Sequence, residues 1–304
     1  MLRRVLLVGA LLCGFCAVAL AQVTLEPKFP AGTFTVDTDE QVEQKLIING
    51  TDVDTGATTH TTSKGVIGER DAEGKLRVPI TIESMKISMS VMGMGYDFDS
   101  ANPDNKGESQ LEALRDFHKA LAKRTTTLVY DKSNRVAAVE SDQTAVNALG
   151  TDVQSIVKSQ LDPNVLKEAA NEELDQIKSD TVKPGDTWQR SSTMNFGAGQ
   201  MMQFKTEYTY AGPVEKDGKK LDKITSKTLE VNYMLQNSPL PLGLKNSDLK
   251  AAESEGMILF DREIGRVVDS NSKMRITGDL TFTINDMNLP AKLDLKIQRS
   301  SVVK

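Results

Sequence analysis

The sequence ILFDREIGRVV, residues 258–268, has the features of a β-hairpin: an apolar run ending in an aromatic residue and an aspartate, then a short polar turn with a glycine, then an arginine and valines. An earlier stretch, LVYDKSNRV at residues 128–136, repeats that order. Aspartate, asparagine and glycine favour tight turns, and the flanking β-branched and aromatic residues favour strands. The echo predicts a β-rich unit that occurs twice in the chain.

Three other landmarks recur in the same order: a turn that enters an aromatic-bearing strand, a Gly-Lys turn followed at equal spacing by Ile-Thr, and a tyrosine where a long strand ends. They are Pro30–Phe34 with Pro184–Trp188, Gly74–Thr81 with Gly218–Thr225, and Tyr96 with Tyr233. The alternative is a set of ordinary hairpins that use similar turn residues. We predict two β-rich halves, residues 22–141 and 183–304, joined by a helical connection over residues 142–182.

Two start signals predict helices before and within that connection. Ser109 with Glu112 is a capping-box signature, and apolar residues at helical spacing continue to Leu121. Asp162 with Pro163 fits an N-cap followed by a proline at the first helical position. The chain is therefore expected to be α+β, with two similar antiparallel halves forming one curved sheet or two lobes and helices packed on one face.

Alternation and turn residues predict most of the remaining elements. Residues 85–91 alternate strictly between apolar and polar side chains, as a half-buried strand does. Pro79 cannot donate a ladder hydrogen bond, so its strand is expected to be at an edge or bulged there. Residues 96–107 and 237–246 are expected to be loops, with a short helix beginning at Ser247.

The first 21 residues predict export. Arg3 and Arg4 precede an apolar segment, and Ala19-Leu20-Ala21 fits a small-x-small cleavage site, so we predict cleavage after Ala21 and a periplasmic or extracellular location. Both cysteines, Cys13 and Cys16, lie in this segment. The mature chain is therefore expected to carry no disulfide and no thiolate chemistry.

Charge and hydropathy narrow the partners of the mature chain. Removing Arg3 and Arg4 leaves 35 basic and 42 acidic residues, a net charge of −7. An acidic chain without a basic stripe is unsuited to nucleic acid, because little would neutralise the phosphates. No second long apolar run follows residue 21, so no integral membrane segment is predicted after cleavage.

Motifs for catalysis or metal binding are weak. His60 lies in a threonine-rich segment and His118 lies on the predicted helix beside Phe117, so both are expected to be surface or helix-flank residues. Residues 97–108 place acidic side chains at the first, third and twelfth positions of a calcium loop, but Ala101 and Asn102 stand where a ligand and a glycine are expected. We predict no catalytic residue, no metal site and no cofactor.

The Pro184-Gly185-Asp186-x-Trp188 turn, the Gly-Lys hairpin and the closing aspartate–arginine hairpin resemble an uncharacterised family of exported bacterial proteins. The resemblance spans most of the mature chain and brings no functional residue with it. The general pattern is also similar to periplasmic lipoprotein-carrier folds. That similarity implies a curved antiparallel sheet, capped by helices, around an apolar cavity.

Methionine is the most suggestive residue type for a ligand. We predict a ligand-lining apolar face, which consists of Met85, Ile87, Met89, Val91 and Met201. Methionine adapts to irregular ligands, although it also fills ordinary cores and binds soft metals. The leading hypothesis is a non-catalytic carrier for a lipid, another apolar ligand or a protein segment. The alternatives are a structural or interaction protein of the envelope with a filled core and, less favoured, a carboxylate-based hydrolase.

Overall fold

The computed structural model describes residues 22–91, 93–102, 112–147, 150, 154, 161–197, 199–236, 238 and 242–304. The predicted signal segment, both cysteines and the second half of the calcium-like loop, residues 103–108, lie outside these residues. The described chain is dominated by long antiparallel strands.

The strands are β1 (Val23–Thr24), β2 (Gly32–Ile48), β3 (Thr51–Ile67), β4 (Leu76–Val91), β5 (Met94–Asp99), β6 (Thr125–Tyr130), β7 (Val136–Ser141), β8 (Thr181–Val182), β9 (Thr187–Gly197), β10 (Gln200–Lys216), β11 (Lys219–Leu235), β12 (Gly243–Asp261), β13 (Arg266–Ile284) and β14 (Met287–Val303). The helices are α1 (Glu112–Leu121), α2 (Thr144–Asn147) and α3 (Pro163–Asp175). The predicted N-cap is confirmed, because the Asp162 carboxylate accepts from the Asn164 and Val165 N–H groups.

One curved sheet contains twelve strands in the order β7-β6-β4-β3-β2-β14-β13-β12-β11-β10-β9, with β5 paired to the far end of β4. Strands from residues 22–141 and strands after residue 183 form two contiguous runs, which meet where β2 pairs with β14. β1 and β8 form a separate two-stranded sheet. The predicted antiparallel class is confirmed, whereas the duplication of the two halves stays a prediction.

Three local predictions were wrong, and long-range pairing explains them. The loop expected over residues 237–246 is strand from Gly243 onward, because β12 begins there. Ser247, expected to begin a helix, lies in β12, which pairs with β13 along its full length. Residues 94–99, most of which were expected to be loop, form β5 against β4. The strand of Pro79 was expected to be at an edge or bulged at this residue. The β3–β4 ladder ends at Ile80, so Pro79 has no partner in β3 to which it would have to donate a hydrogen bond.

The two echoing hairpins both form and lie on either side of the N-terminal segment, residues 22–31. Asn134 and Gly265 occupy corresponding turn positions with φ near +60°. The Asn134 side chain donates to the Pro27 carbonyl, and the Lys28 N–H donates to the Gly265 carbonyl. A Cβ on Gly265 would lie 2.4 Å from the Lys28 nitrogen, so this contact requires glycine.

Helix α3 lies between the two outermost strands of the sheet. On the β7 side, Asn171 accepts from the Val136 N–H at 2.9 Å and donates to the Val136 carbonyl at 3.0 Å. On the β9 side, Glu172 accepts from the Thr193 N–H at 3.0 Å, and Arg190 donates to the Asp175 carbonyl. The helix therefore supplies hydrogen-bond partners to edge strands that would otherwise face solvent.

Among the described residues, four apolar clusters form the core, and different elements cover them. The α3 cluster, around Leu76 and Tyr130, is covered by α3. The α1 cluster, around Tyr96 and Phe98, is covered by α1. The N-terminal cluster, around Tyr210 and Phe260, includes the fully buried Leu25 of the N-terminal segment. The fourth, the strand cluster around Phe204 and Phe282, draws its members from β2 and β9–β14 and from Leu242, just before β12.

Candidate binding site

The strand cluster forms where the sheet folds back on itself. Tyr233 of β11 contacts Phe282 of β13 edge-to-face, with ring centroids 6.1 Å apart, although β12 separates these strands in the sheet. The contact therefore runs across the interior rather than along one face. The Tyr233 hydroxyl donates to Gln200, and burial raises the pKa of Tyr233 to about 12. The centre of the cluster is a packed apolar core.

The rim of the strand cluster is apolar but only half-buried. It consists of Val42, Leu46, Ile48, Met194, Phe196, Leu235, Leu242, Leu244, Leu249, Ala251, Met274 and Leu289. Within the described residues, no helix and no part of the N-terminal segment belongs to this cluster. The strand cluster thus differs from the other three, each of which has a covering element.

The hydrogen-bond ladder between β11 and β12 stops beside this cluster. It joins Asp222–Ser226 to Gly256–Phe260, and then the Thr228 N–H donates to the Ser254 hydroxyl at 2.8 Å instead of to a backbone carbonyl. From there towards the strand cluster, the described residues show no backbone hydrogen bond between the two strands. We name Leu229–Leu235 of β11 and Gly243–Glu253 of β12 the seam.

Ser247 adds a polar group to the apolar side of the seam. It pairs with the buried Leu280 in β13, so it faces the strand cluster, and Leu249 and Ala251 share that face. Its hydroxyl oxygen is buried and has no hydrogen-bond partner in the described structure. An unsatisfied buried hydroxyl costs free energy, so this position is suited to a ligand that brings a polar group.

The predicted methionine face is divided between different environments. Met85 and Ile87 are buried in the α1 cluster, and Met89 is half-buried against it. Val91 ends β4, where it pairs with Thr55 and Met94. Met201 is half-buried on β10 and faces away from its neighbour Met202, which belongs to the strand cluster. The structure thus brings Met85, Ile87 and Met89 together and places Met201 elsewhere.

The two histidines lie in contrasting places. His118 is buried among aromatic rings, where its Nδ1 is 2.8 Å from the Tyr96 hydroxyl, and burial lowers the pKa of His118 to about 4. His60 is on an exposed strand surface, with Nδ1 2.7 Å from an Asp39 oxygen. The prediction of a surface or helix-flank position was wrong for His118, because α1 packs this residue against Tyr96 and Phe98 of β5.

Sequence reasoning also missed a buried charge at the intact end of the β11–β12 ladder. Asp222 is fully buried, accepts from the Tyr210 hydroxyl at 2.6 Å and pairs with Arg262 of the second echoing hairpin. The Lys28 ammonium donates to the Arg262 carbonyl. This arrangement ties β10, β11, the hairpin and the N-terminal segment together, which is a structural role.

Two surface cavities have volumes of about 340 and 370 Å³, and both are lined mainly by polar side chains. They share Thr58, and Ile87 and Phe98 of the α1 cluster also line the second cavity. Among the described residues, no group of three or more His, Cys, Asp or Glu side chains is placed to hold a metal ion. No helix in the described ranges has the length and apolarity to cross a membrane.

A family model matches more than half of the chain. The model describes DUF6263, a family of unknown function, and it matches residues 73–232, from the turn before β4 into β11. The match confirms the resemblance to an uncharacterised family that the turn motifs predicted. No curated protein sequence matches the chain at a significant level.

Solved structures show only distant similarity. One is lipovitellin, described for its lipid–protein interactions, at 10% identity and TM-score 0.44; it covers 91% of this chain, which spans 25% of that one. Another is a DUF1329 family protein from Desulfovibrio piger, at 9% identity and TM-score 0.14. The match covers 86% of this chain and 83% of that one. A third is OpdQ of Pseudomonas aeruginosa, at 8% identity and TM-score 0.17. The match covers 90% of this chain and 98% of that one. These TM-scores lie below 0.5, so no functional argument rests on them.

Proposed function

Because this chain belongs to DUF6263, a family of unknown function, we propose its function from its own geometry: it is a non-catalytic binding or carrier protein for an extended apolar ligand. The observation that carries this proposal is the uncovered strand cluster. Its half-buried apolar rim lies beside the seam, where two neighbouring strands stop pairing. Contiguous apolar surface without a covering element is typical of a binding site.

The binding energy would come mainly from burying the rim. Each apolar square ångström removed from water contributes about 25 cal/mol, before the cost of ordering the ligand is subtracted. Leu249 and Leu244 of β12 and Leu235 of β11 belong to the seam and supply part of this surface. A long, narrow ligand that lies along the strands would contact all three.

The methionine face enters the proposal in a reduced form. Met85 and Ile87 are buried in the α1 cluster, and Ile87 also lines one of the two surface cavities. Met89 is half-buried at the margin of the same cluster. We therefore propose the strand cluster as the primary site, and contact with Met85, Ile87, Met89, Val91 or Met201 stays a prediction.

A second function, a structural or interaction protein of the envelope, has two observations in its favour. The centre of the strand cluster is packed, and the two surface cavities are lined mainly by polar side chains. Export through the segment that ends at Ala21, and the location outside the cytoplasm, belong to both proposals.

Native mass spectrometry tests the proposed function. The mature protein, purified from an envelope fraction, is expected to carry an apolar adduct that solvent extraction removes, and to take up oleate afterwards. A clean mass that does not change after incubation with oleate or phospholipid would count against a carrier of lipid.

Matched charge substitutions locate the site. Leu249→Asp places a carboxylate on the half-buried rim and is expected to abolish uptake of oleate. Ile47→Asp is the control, because Ile47 is 39% exposed on β2 and faces away from the strand cluster. Thermal unfolding of both variants checks that the fold is kept. Equal uptake by the two variants would remove the strand cluster as the site.

A further inference from the structure

We infer that the seam binds an extended polypeptide segment of a partner protein, which adds a β-strand along Asn246–Ala251 of β12. This inference rests on the proposed function and names the class of its ligand. An acyl chain would need only apolar surface. The seam offers apolar surface together with unpaired backbone groups and a buried hydroxyl.

The backbone of the seam has the chemistry of a strand-addition site. β12 pairs with β13 on one side along its full length, and its ladder to β11 covers only Gly256–Phe260. On the side facing β11, alternate N–H and C=O groups before Ser254 have no backbone partner in the described structure. Another extended backbone is the ligand that matches a row of alternating donors and acceptors.

Helix α3 supplies hydrogen-bond partners at both ends of the strand order, and the seam has no such partner in the described residues. The Asn171 amide pairs both polar backbone groups of Val136 on β7, and the Glu172 carboxylate accepts from Thr193 on β9. Native proteins protect edge strands because exposed edges recruit other chains. The unpaired backbone groups of β12 at the seam are therefore the ones that an added strand would satisfy.

The length of the site follows from the irregularities of β12. Its pairing with β13 shifts between Leu244 and Asn246 and again between Ala251 and Glu253. Between these shifts, Asn246–Ala251 keeps a regular register of six residues. A strand of about six residues is a common length in folded proteins, so the regular stretch is long enough to define one added strand.

Side chains along this stretch specify an alternating partner. Ser247, Leu249 and Ala251 face the strand cluster, whereas Asn246, Asp248 and Lys250 face the other side of the sheet. The added strand would therefore place apolar residues against Leu249 and polar residues beside Asp248 and Lys250. A threonine or serine on the apolar side could satisfy the Ser247 hydroxyl, which is buried and unpaired.

The test uses wild-type mature protein and a ten-residue peptide that alternates valine and threonine between two terminal lysines. Two variants of this peptide have N-methylated backbone amides. One variant is methylated at the odd positions and the other at the even positions. Strand addition uses the alternate N–H groups of one edge, so at least one methylated variant is expected to bind at least about tenfold more weakly in calorimetry. Equal binding by all three peptides would overturn the inference.

Hydrogen–deuterium exchange locates the peptide. Adding the unmethylated peptide is expected to slow amide exchange within Asn246–Ala251. The variant Leu249→Asp is expected to lose both this protection and peptide binding. The control variant Ile47→Asp is expected to keep both. Protection confined to another part of the sheet would contradict the site. Protection of the same residues in the free protein through a concentration-dependent dimer would make a second copy the occupant and overturn the inference.

An oleate titration separates this inference from the proposed function. If oleate binds wild type and is lost in Leu249→Asp while no peptide binds, the ligand is an apolar chain and the polypeptide inference fails alone. If neither oleate nor peptide binds, both proposals fail.

Discussion

The edges held by α3 and the edges of the seam show two ways of treating unpaired strands in one sheet. At β7 and β9, buried or half-buried side chains of α3 supply the missing hydrogen bonds. At the seam, the described residues leave the backbone of β12 without partners beside an apolar rim. Side chains satisfy backbone groups in the first region, whereas backbone groups of the second region have no backbone partner in the described residues. The difference suggests that the seam is kept for a partner.

Covered and uncovered clusters should respond very differently to a buried charge. Met85→Asp puts an unpaired carboxylate under α1, which is expected to destabilise the protein by about 4 kcal/mol or to prevent folding. Leu249→Asp lies on the half-buried rim and is expected to cost about 1 kcal/mol. Denaturant unfolding measures both, and equal costs would mean that the rim of the strand cluster is as closed as the α1 cluster.

The α1 cluster should also give the protein an acid-sensitive stability. Burial lowers the pKa of His118 from 6.5 to about 4, so the unfolded chain binds a proton that the folded chain excludes. The contribution of His118 to the free energy of unfolding is fully present above pH 6.5 and is lost as the pH falls towards 4. The total loss is about 3 kcal/mol. Unfolding at several pH values should show this slope in wild type and lack it in His118→Leu. An unchanged slope in the variant would assign it to other groups.

Paired asparagine substitutions compare a covered edge with the seam directly. Asn171→Leu leaves the Val136 N–H and carbonyl unpaired and is expected to cost about 2 to 3 kcal/mol. Asn246→Leu changes an exposed side chain on the seam strand and is expected to stay within about 0.5 kcal/mol of wild type. Similar losses in the two variants would show that the edges are not treated differently.

Two serine substitutions on β12 are expected to change the free energy of unfolding in opposite directions. Ser247→Ala removes a buried hydroxyl that has no partner and is expected to stabilise the protein by about 1 kcal/mol. Ser254→Ala, on the same strand, removes the hydroxyl that accepts from the Thr228 N–H and is expected to destabilise by a similar amount. If Ser247→Ala instead lowers stability, the Ser247 hydroxyl makes a hydrogen bond in the free protein and is not available to a ligand.

Local signals predicted local structure, and contacts distant in sequence decided the rest. The Asp162-Pro163 start of α3 and the two aspartate turns follow from a few neighbouring residues, and the structure contains them. Ser247 has the same helix-start chemistry, but pairing with β13 overrides it. Nothing near Asn171 in sequence indicates that its amide pairs with Val136, 35 residues earlier. The seam was missed for the same reason, since it depends on where two long strands stop pairing.

Hydrogen–deuterium exchange on the free mature protein tests the central claim most directly. The account predicts that alternate amides within Asn246–Ala251 exchange quickly, while the amides of Val136 and Thr193, which α3 covers, exchange slowly. If the seam amides of the ligand-free protein exchange as slowly as those two, the seam is already closed and the proposed site does not exist.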